Sequence, residues 1–152
     1  MIANESHQPV IFLAEDSRDD AYFFQRAFRK AEVGCSLVHA ENGKLAIEML
    51  KKAQAAAGSI PVLLFLDLKM PVVSGFEVLE WLQFSNLNPP PKVIVLSGSN
   101  EQDDRARALR LGAADYLVKP ITAEMLRKKI LEELRSLRGA EGQTHLEKRA
   151  SA

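Results

Sequence analysis

Apolar residues in this chain alternate between two kinds of pattern. Short unbroken blocks such as Val10-Ile11-Phe12-Leu13-Ala14 and Val62-Leu63-Leu64-Phe65-Leu66 have the length and continuity of strands buried on both faces. Between them run longer stretches with helical spacing; Ala21, Phe24, Ala27, Phe28 and Ala31 fall on one stripe. The pattern predicts strands over 9–14, 36–40, 61–66, 92–97 and 115–118. It predicts helices over 19–32, 43–57, 75–86, 101–112 and 123–138. Punctuation agrees with this division. Ser17 with Asp20 and Ser99 with Gln102 have the spacing of capping boxes, and Thr122 can cap the last helix. Gly112 closes the fourth helix, while Gly58 and Pro61 separate the second helix from the third strand. Five strand–helix units imply an α/β fold, a doubly wound five-stranded parallel sheet with five flanking helices.

The chain has 152 residues, enough for one domain with a sizeable core. The pattern assigns 9–138 to that domain, 1–8 to an N-terminal tail and 139–152, which is polar and aperiodic, to a flexible C-terminal tail. Charge changes little: 20 basic residues balance 20 acidic ones, so no global field favours nucleic acid or an acidic membrane surface. A single cysteine, Cys35, excludes a disulfide framework or a thiolate zinc site within one chain. No apolar run is long enough to span a bilayer, and Met1-Ile2-Ala3-Asn4-Glu5 lacks the features of a leader. A cytoplasmic setting without membrane contact is the expectation.

Candidate chemistry gathers at the C-terminal ends of the strands, where open α/β sheets place ligands. Glu15-Asp16 ends the first strand, Asp67 the third, Ser97 the fourth and Lys119 follows the fifth. Two carboxylates ~4 Å apart in an effective dielectric of ~20 repel by about 4 kcal/mol. Such a cluster must protonate, recruit Lys119 or bind a cation. Mg²⁺ suits it, since that ion takes hard oxygen ligands and commonly joins carboxylates to phosphate. Zinc would want His or Cys; His39 lies in the second strand, His7 and His145 fall in the tails, and none has a ligand context. Asp67 beside Mg²⁺ can attack a phosphoryl group to give an acyl phosphate. Lys119 and Ser97 would then contact two phosphoryl oxygens.

These residues carry a family resemblance. Glu15-Asp16, Asp67 in Leu-Asp-Leu-Lys-Met-Pro, Gly75, Ser97 in Leu-Ser-Gly-Ser, Gly112-Ala113 and Tyr116-Leu-Val-Lys119-Pro120 resemble bacterial response-regulator receiver domains of the CheY type over about 9–138. Ser97 lies 30 positions after Asp67 and Lys119 lies 22 after Ser97, as in that family. The flavodoxin-like strand order 2-1-3-4-5 comes with the resemblance and not from the spacing. The resemblance implies Asp67 as phosphoacceptor and Asp16 as direct Mg²⁺ ligand. Glu15 would act mostly through water, and the Lys69 backbone carbonyl would complete the set. It implies a Ser97–Tyr116 switch, in which Tyr116 swings inward on phosphorylation and repacks the face of the fourth helix, fifth strand and fifth helix. It also implies a cis Lys119-Pro120 bond. The implied donor is a sensor histidine kinase or a histidine phosphotransfer protein. A downstream protein partner would read the state, with no direct nucleic-acid contact, and homodimers through the same face belong to the family repertoire. The expected protein is a single-domain regulator, similar to those associated with phytochrome-type kinases. It would catalyse only its own phosphorylation and dephosphorylation.

Two alternatives stand beside this. A receiver-fold scaffold working without phosphorylation would normally have lost Asp67, the acidic pair or Lys119. A Mg²⁺-dependent phosphatase of the haloacid-dehalogenase type would carry a second Asp where this chain has Lys69.

Overall fold

A computed structural model describes residues 8–56, 60–98 and 101–150, and from 140 onward the course of the helix only. Ten elements alternate: β1 (Val10–Ala14), α1 (Arg18–Ala31), β2 (Ser36–Ala40), α2 (Gly43–Ala55), β3 (Leu63–Asp67), α3 (Gly75–Phe84), β4 (Lys92–Ser97), α4 (Gln102–Arg110), β5 (Asp115–Val118) and α5 (Ala123–Ala150). The strands form one parallel sheet in the order β2-β1-β3-β4-β5.

Strand parity divides the core into two layers. Ile11, Leu13, Leu63, Phe65, Ile94 and Leu96 pack with Phe24, Phe28, Leu126 and Ile130 of α1 and α5. Their neighbours Phe12, Leu64, Leu66, Val93 and Val95 pack with Leu50, Val78, Leu79 and Ala108 of α2, α3 and α4. Because both faces are covered, every residue of β3 is buried, which is why its sequence shows no polar alternation. Each of these side chains contributes roughly 1.5–3 kcal/mol on leaving water, so the central strands are the most firmly held part of the sheet.

Helix starts follow local chemistry in four cases, the Asn42 Oδ1 at α2 accepting from the Leu45 amide among them. The Ser17 hydroxyl accepts from the Asp20 amide, and the Thr122 hydroxyl accepts from the Met125 amide. Ser74 and Glu77 form a reciprocal capping box at α3. Two expectations fail. Ser17 caps α1, yet the Asp20 side chain turns away from the cap to pair with Lys119. At α4 the N-cap is Glu101, with no side-chain cap bond, and Ser99 lies outside the described residues.

The last helix also differs. The segment from Gly139, expected as a flexible tail, continues α5 to Ala150. Each glycine costs about 1 kcal/mol in a helix, but a helix already nucleated and packed gains one hydrogen bond per added residue. The Glu, Gln, Lys, Arg and Leu residues around Gly139 and Gly142 favour that propagation. Residues 1–7 and 151–152, assigned to the tails, lie outside the described residues, as does Gly58.

Two close approaches fix the loop after β3. A Cβ on Gly75 would lie 2.3 Å from the Asp67 carbonyl oxygen and 2.7 Å from Leu68 Cα. A Cβ on Gly43 would lie 2.4 Å from the Val73 carbonyl oxygen. The Gly75 amide donates to the Leu68 carbonyl at 2.9 Å. The starts of α2 and α3 therefore clamp the segment that carries Asp67 into the next helix.

Candidate functional site

The carboxylates expected at one sheet edge do meet there. One oxygen each of Glu15, Asp16 and Asp67 lies within 4.8 Å of the others. Asp67 ends β3 on the parity of Leu63 and Phe65, and only 7% of it is exposed. Glu15 follows β1 at 1% exposure, whereas Asp16 faces solvent. The Lys69 amide donates to Asp67 Oδ1 at 3.2 Å, so the turn after β3 holds the Asp67 side chain in place.

Lys119 enters this cluster from the end of β5. Its ammonium donates to Glu15 Oε1 at 2.5 Å and to Asp20 Oδ2 at 2.8 Å, and stands 3.6 Å from Asp67 Oδ2. Burial alone would lower the Lys119 pKa, but the bonds to Asp20 and Glu15 overcome it and raise the pKa above the ordinary lysine value. The Lys119-Pro120 peptide is cis, and the Lys119 amide donates to the Ser97 carbonyl at 2.7 Å. Ser97 is buried at the end of β4, on the same face as Val95, whose partner in β5 is Tyr116. Tyr116 is itself buried in the α2–α4 layer.

Glu15 shows the electrostatic strain of the cluster. Burial, then a hydrogen bond with Asp67, pushes its carboxyl pKa up to about 8. Glu15 Oε2 is fully buried and meets no partner in the structure. A carboxyl proton shared toward Asp67 relieves this site in one way, and a hard cation relieves it in another. The donor set therefore fits Mg²⁺: three carboxylates with an orphaned buried oxygen, and no cysteine or histidine side chain among them.

Local patterns did not reveal two neighbours of the site. Asp20 has the spacing of a capping-box residue, yet its carboxylate is a main partner of Lys119. His39 has no ligand context in the sequence, and its Nε2 lies 2.8 Å from the Glu15 carbonyl oxygen. Arg105, Arg107 and Arg110 are exposed on α4, and Arg107 also covers the Phe76 ring at 4.0 Å and pairs with Glu80 at 3.9 Å.

Fold and site together define a doubly wound α/β domain with an acidic, lysine-bearing pocket at the C-terminal sheet edge. The chain belongs to the response regulator receiver domain family, whose model matches residues 11–131. It is 33% identical to a probable methanogenesis regulatory protein, FilR2, of Methanothrix harundinacea (strain 6Ac), over 86% of this chain and 84% of that protein. It is 27% identical to a probable cyclic di-GMP phosphodiesterase of Vibrio cholerae over 91% of this chain, but spans only 29% of that longer protein. Among solved structures, the bacteriophytochrome response regulator AtBRR matches with a TM-score of 0.70 at 31% identity, over 82% of this chain and 91% of that one. The receiver domain of a putative Luxo repressor protein from Vibrio parahaemolyticus matches with a TM-score of 0.74 at 28% identity, over 88% of this chain and 95% of that one. This is a receiver domain of the two-component type, with an acidic pocket compatible with Mg²⁺ and phosphorylation. No helix among the described residues is long and apolar enough to cross a membrane.

Proposed function

We propose that the chain is a phosphoacceptor switch. A buried strand-end carboxylate, Asp67, beside two further carboxylates and a lysine 3.6 Å away, is the observation that carries this reading. An Asp67 carboxylate oxygen attacks the phosphorus of a phosphohistidine on a sensor kinase or histidine phosphotransfer protein. An O–P bond forms, the N–P bond breaks, and the imidazole leaves with its electron pair. Glu15, Asp16, Asp67 and the Lys69 carbonyl would hold Mg²⁺, which when bound supplies charge neutralisation for the phosphoryl oxygens. Lys119 contributes a second positive charge, and the Ser97 hydroxyl hydrogen-bonds a phosphoryl oxygen.

The response travels through Ser97 and Tyr116, which share one face of β4 and β5. A phosphoryl group that binds one arrangement of this pair better shifts the population toward it. The readout surface is α4, β5 and α5, where a downstream protein docks. The phosphorylation chemistry is confined to the protein's own Asp67, with no separate substrate. Adding beryllofluoride, a phosphoryl mimic, with Mg²⁺ should change amide exchange across α4, β5 and α5. An unaltered exchange pattern with beryllofluoride bound would contradict the switch. Lys119→Ala should still accept a phosphoryl group but lose most of that change; a full response in the variant would remove the role given to the lysine.

The Glu15 pKa gives a pH dependence with a defined sign. In the folded, metal-free protein it lies near 8 against an ordinary 4.5. The folded state therefore retains a proton that the unfolded state releases, and stability falls as pH rises through that window. Mg²⁺ favours the carboxylate over the carboxylic acid, so its apparent affinity should rise with pH up to about 8 and level off above it. Mg²⁺ titrations followed by thermal shift at pH 6, 7 and 8.5 check this, and an affinity flat across the series would remove the buried proton from the account.

A further inference from the structure

Lys119 has more carboxylates than a phosphoryl-sensing lysine requires. Glu15 holds its ammonium from inside the site at 2.5 Å, and Asp67 lies at 3.6 Å. Asp20 holds it at 2.8 Å from the first turn of α1, on the outer side, with 44% of the Asp20 side chain exposed. That third contact closes no part of the acidic cluster, because Asp20 is not among the carboxylates that converge there. It lies instead at a cavity of about 870 Å³ between α1 and the β5–α5 connection, lined by Asp20, Lys119, Phe23, Phe24, Pro120 and Ile121 among others.

We propose that Asp20 is a positioning residue that tethers Lys119 to α1 and competes with the phosphoryl group for it. The inference rests on the phosphoacceptor reading of Asp67. A phosphoryl group on Asp67 adds acceptor oxygens, and Lys119 reaches them by giving up its outermost bond. That bond is the one to Asp20, since Glu15 is buried and cannot exchange its partner for water. Phosphorylation thus leaves Asp20 as an unpaired carboxylate at the cavity mouth, and the first turn of α1 senses the state of Asp67. The tether sets the threshold of the switch: without it, Lys119 is available to the phosphoryl group at no cost in a broken ion pair.

The test is beryllofluoride affinity in Mg²⁺ for the full chain, with wild type, Asp20→Asn, Asp20→Ser and Asp20→Glu compared and thermal unfolding recorded for each. Asp20→Asn should bind beryllofluoride about fivefold more tightly than wild type, the equivalent of losing one partly exposed ion-pair competitor. Asp20→Ser should follow it, and Asp20→Glu, which restores the carboxylate, should return to within about twofold of wild type. A purely structural role would lower the unfolding temperature without tightening the ligand. Unchanged or weaker binding in both the Asn and Ser variants overturns the tether while leaving the phosphoacceptor reading intact. No beryllofluoride binding by folded wild type removes that reading, and the tether with it.

Discussion

Asp67→Asn will fold like the parent protein and take up no phosphoryl group from any donor. The substitution keeps the volume and shape of a side chain that is only 7% exposed, so the packing at the end of β3 has no reason to change. It removes the nucleophile, because a neutral amide oxygen is too weak a nucleophile to attack phosphorus and give an acyl phosphate. It also removes a negative charge from a crowded site. Glu15 loses the hydrogen bond and the repulsion from Asp67 that help hold its pKa up, so its carboxyl moves down toward the ordinary range. Lys119 keeps Glu15 and Asp20 as partners. The net stability change should stay within about 1 kcal/mol, as expected when relief of repulsion offsets one lost charge pair at 3.6 Å. Phosphorylation assayed by intact mass, with unfolding followed by circular dichroism, reads both halves. Persistent labelling at the wild-type level would place the acceptor elsewhere.

Gly75→Ala has the largest expected effect on the fold. The added methyl would meet the Asp67 carbonyl oxygen at 2.3 Å and Leu68 Cα at 2.7 Å, and neither backbone atom can rotate away. Relief requires α3 to shift from β3, breaking the Gly75–Leu68 hydrogen bond and disturbing the residues that follow the acceptor. Overpacking against fixed atoms typically costs up to about 3 kcal/mol, which corresponds to a fall of roughly 10 °C in Tm for a domain of this size. Phosphorylation should slow as well, since the Lys69 amide that orients Asp67 lies in the displaced turn. A Tm within about 2 °C of wild type would show that the α3–β3 contact has more slack than these distances allow.

Central strands and their order of appearance are legible in the sequence because burial on both faces leaves an unmistakable trace. Leu63, Phe65, Leu64 and Leu66 serve two different layers, so no polar residue interrupts them. Asp67, Glu15 and Lys119 were legible for the same reason: a charged residue directly after such a run stands at the sheet edge. The elements that were misplaced depend on other information. The end of α5 is set by propagation from a packed helix, which overrides the glycines at 139 and 142. At α4 the N-cap position falls on Glu101, which makes no side-chain cap bond, and spacing alone carries no information on where an uncapped helix starts.

Long-range pairs were the least legible. Asp20 and Lys119 are 99 residues apart, and His39 and Glu15 are 24 apart. Asp20 has a sound local explanation as part of a capping box, and nothing in the α1 sequence says that its carboxylate will be claimed across the sheet. Only the parallel sheet order, which brings the ends of β1, β3 and β5 to one edge, makes that contact available.

The most direct test of the central claim is the intact mass of the protein after incubation with a small-molecule phosphodonor, with and without Mg²⁺, for wild type and Asp67→Asn. The account predicts a single added phosphoryl group, only on wild type and only with Mg²⁺. A folded wild-type protein that takes up no phosphoryl group and binds no beryllofluoride, or an adduct of equal size on Asp67→Asn, would contradict it.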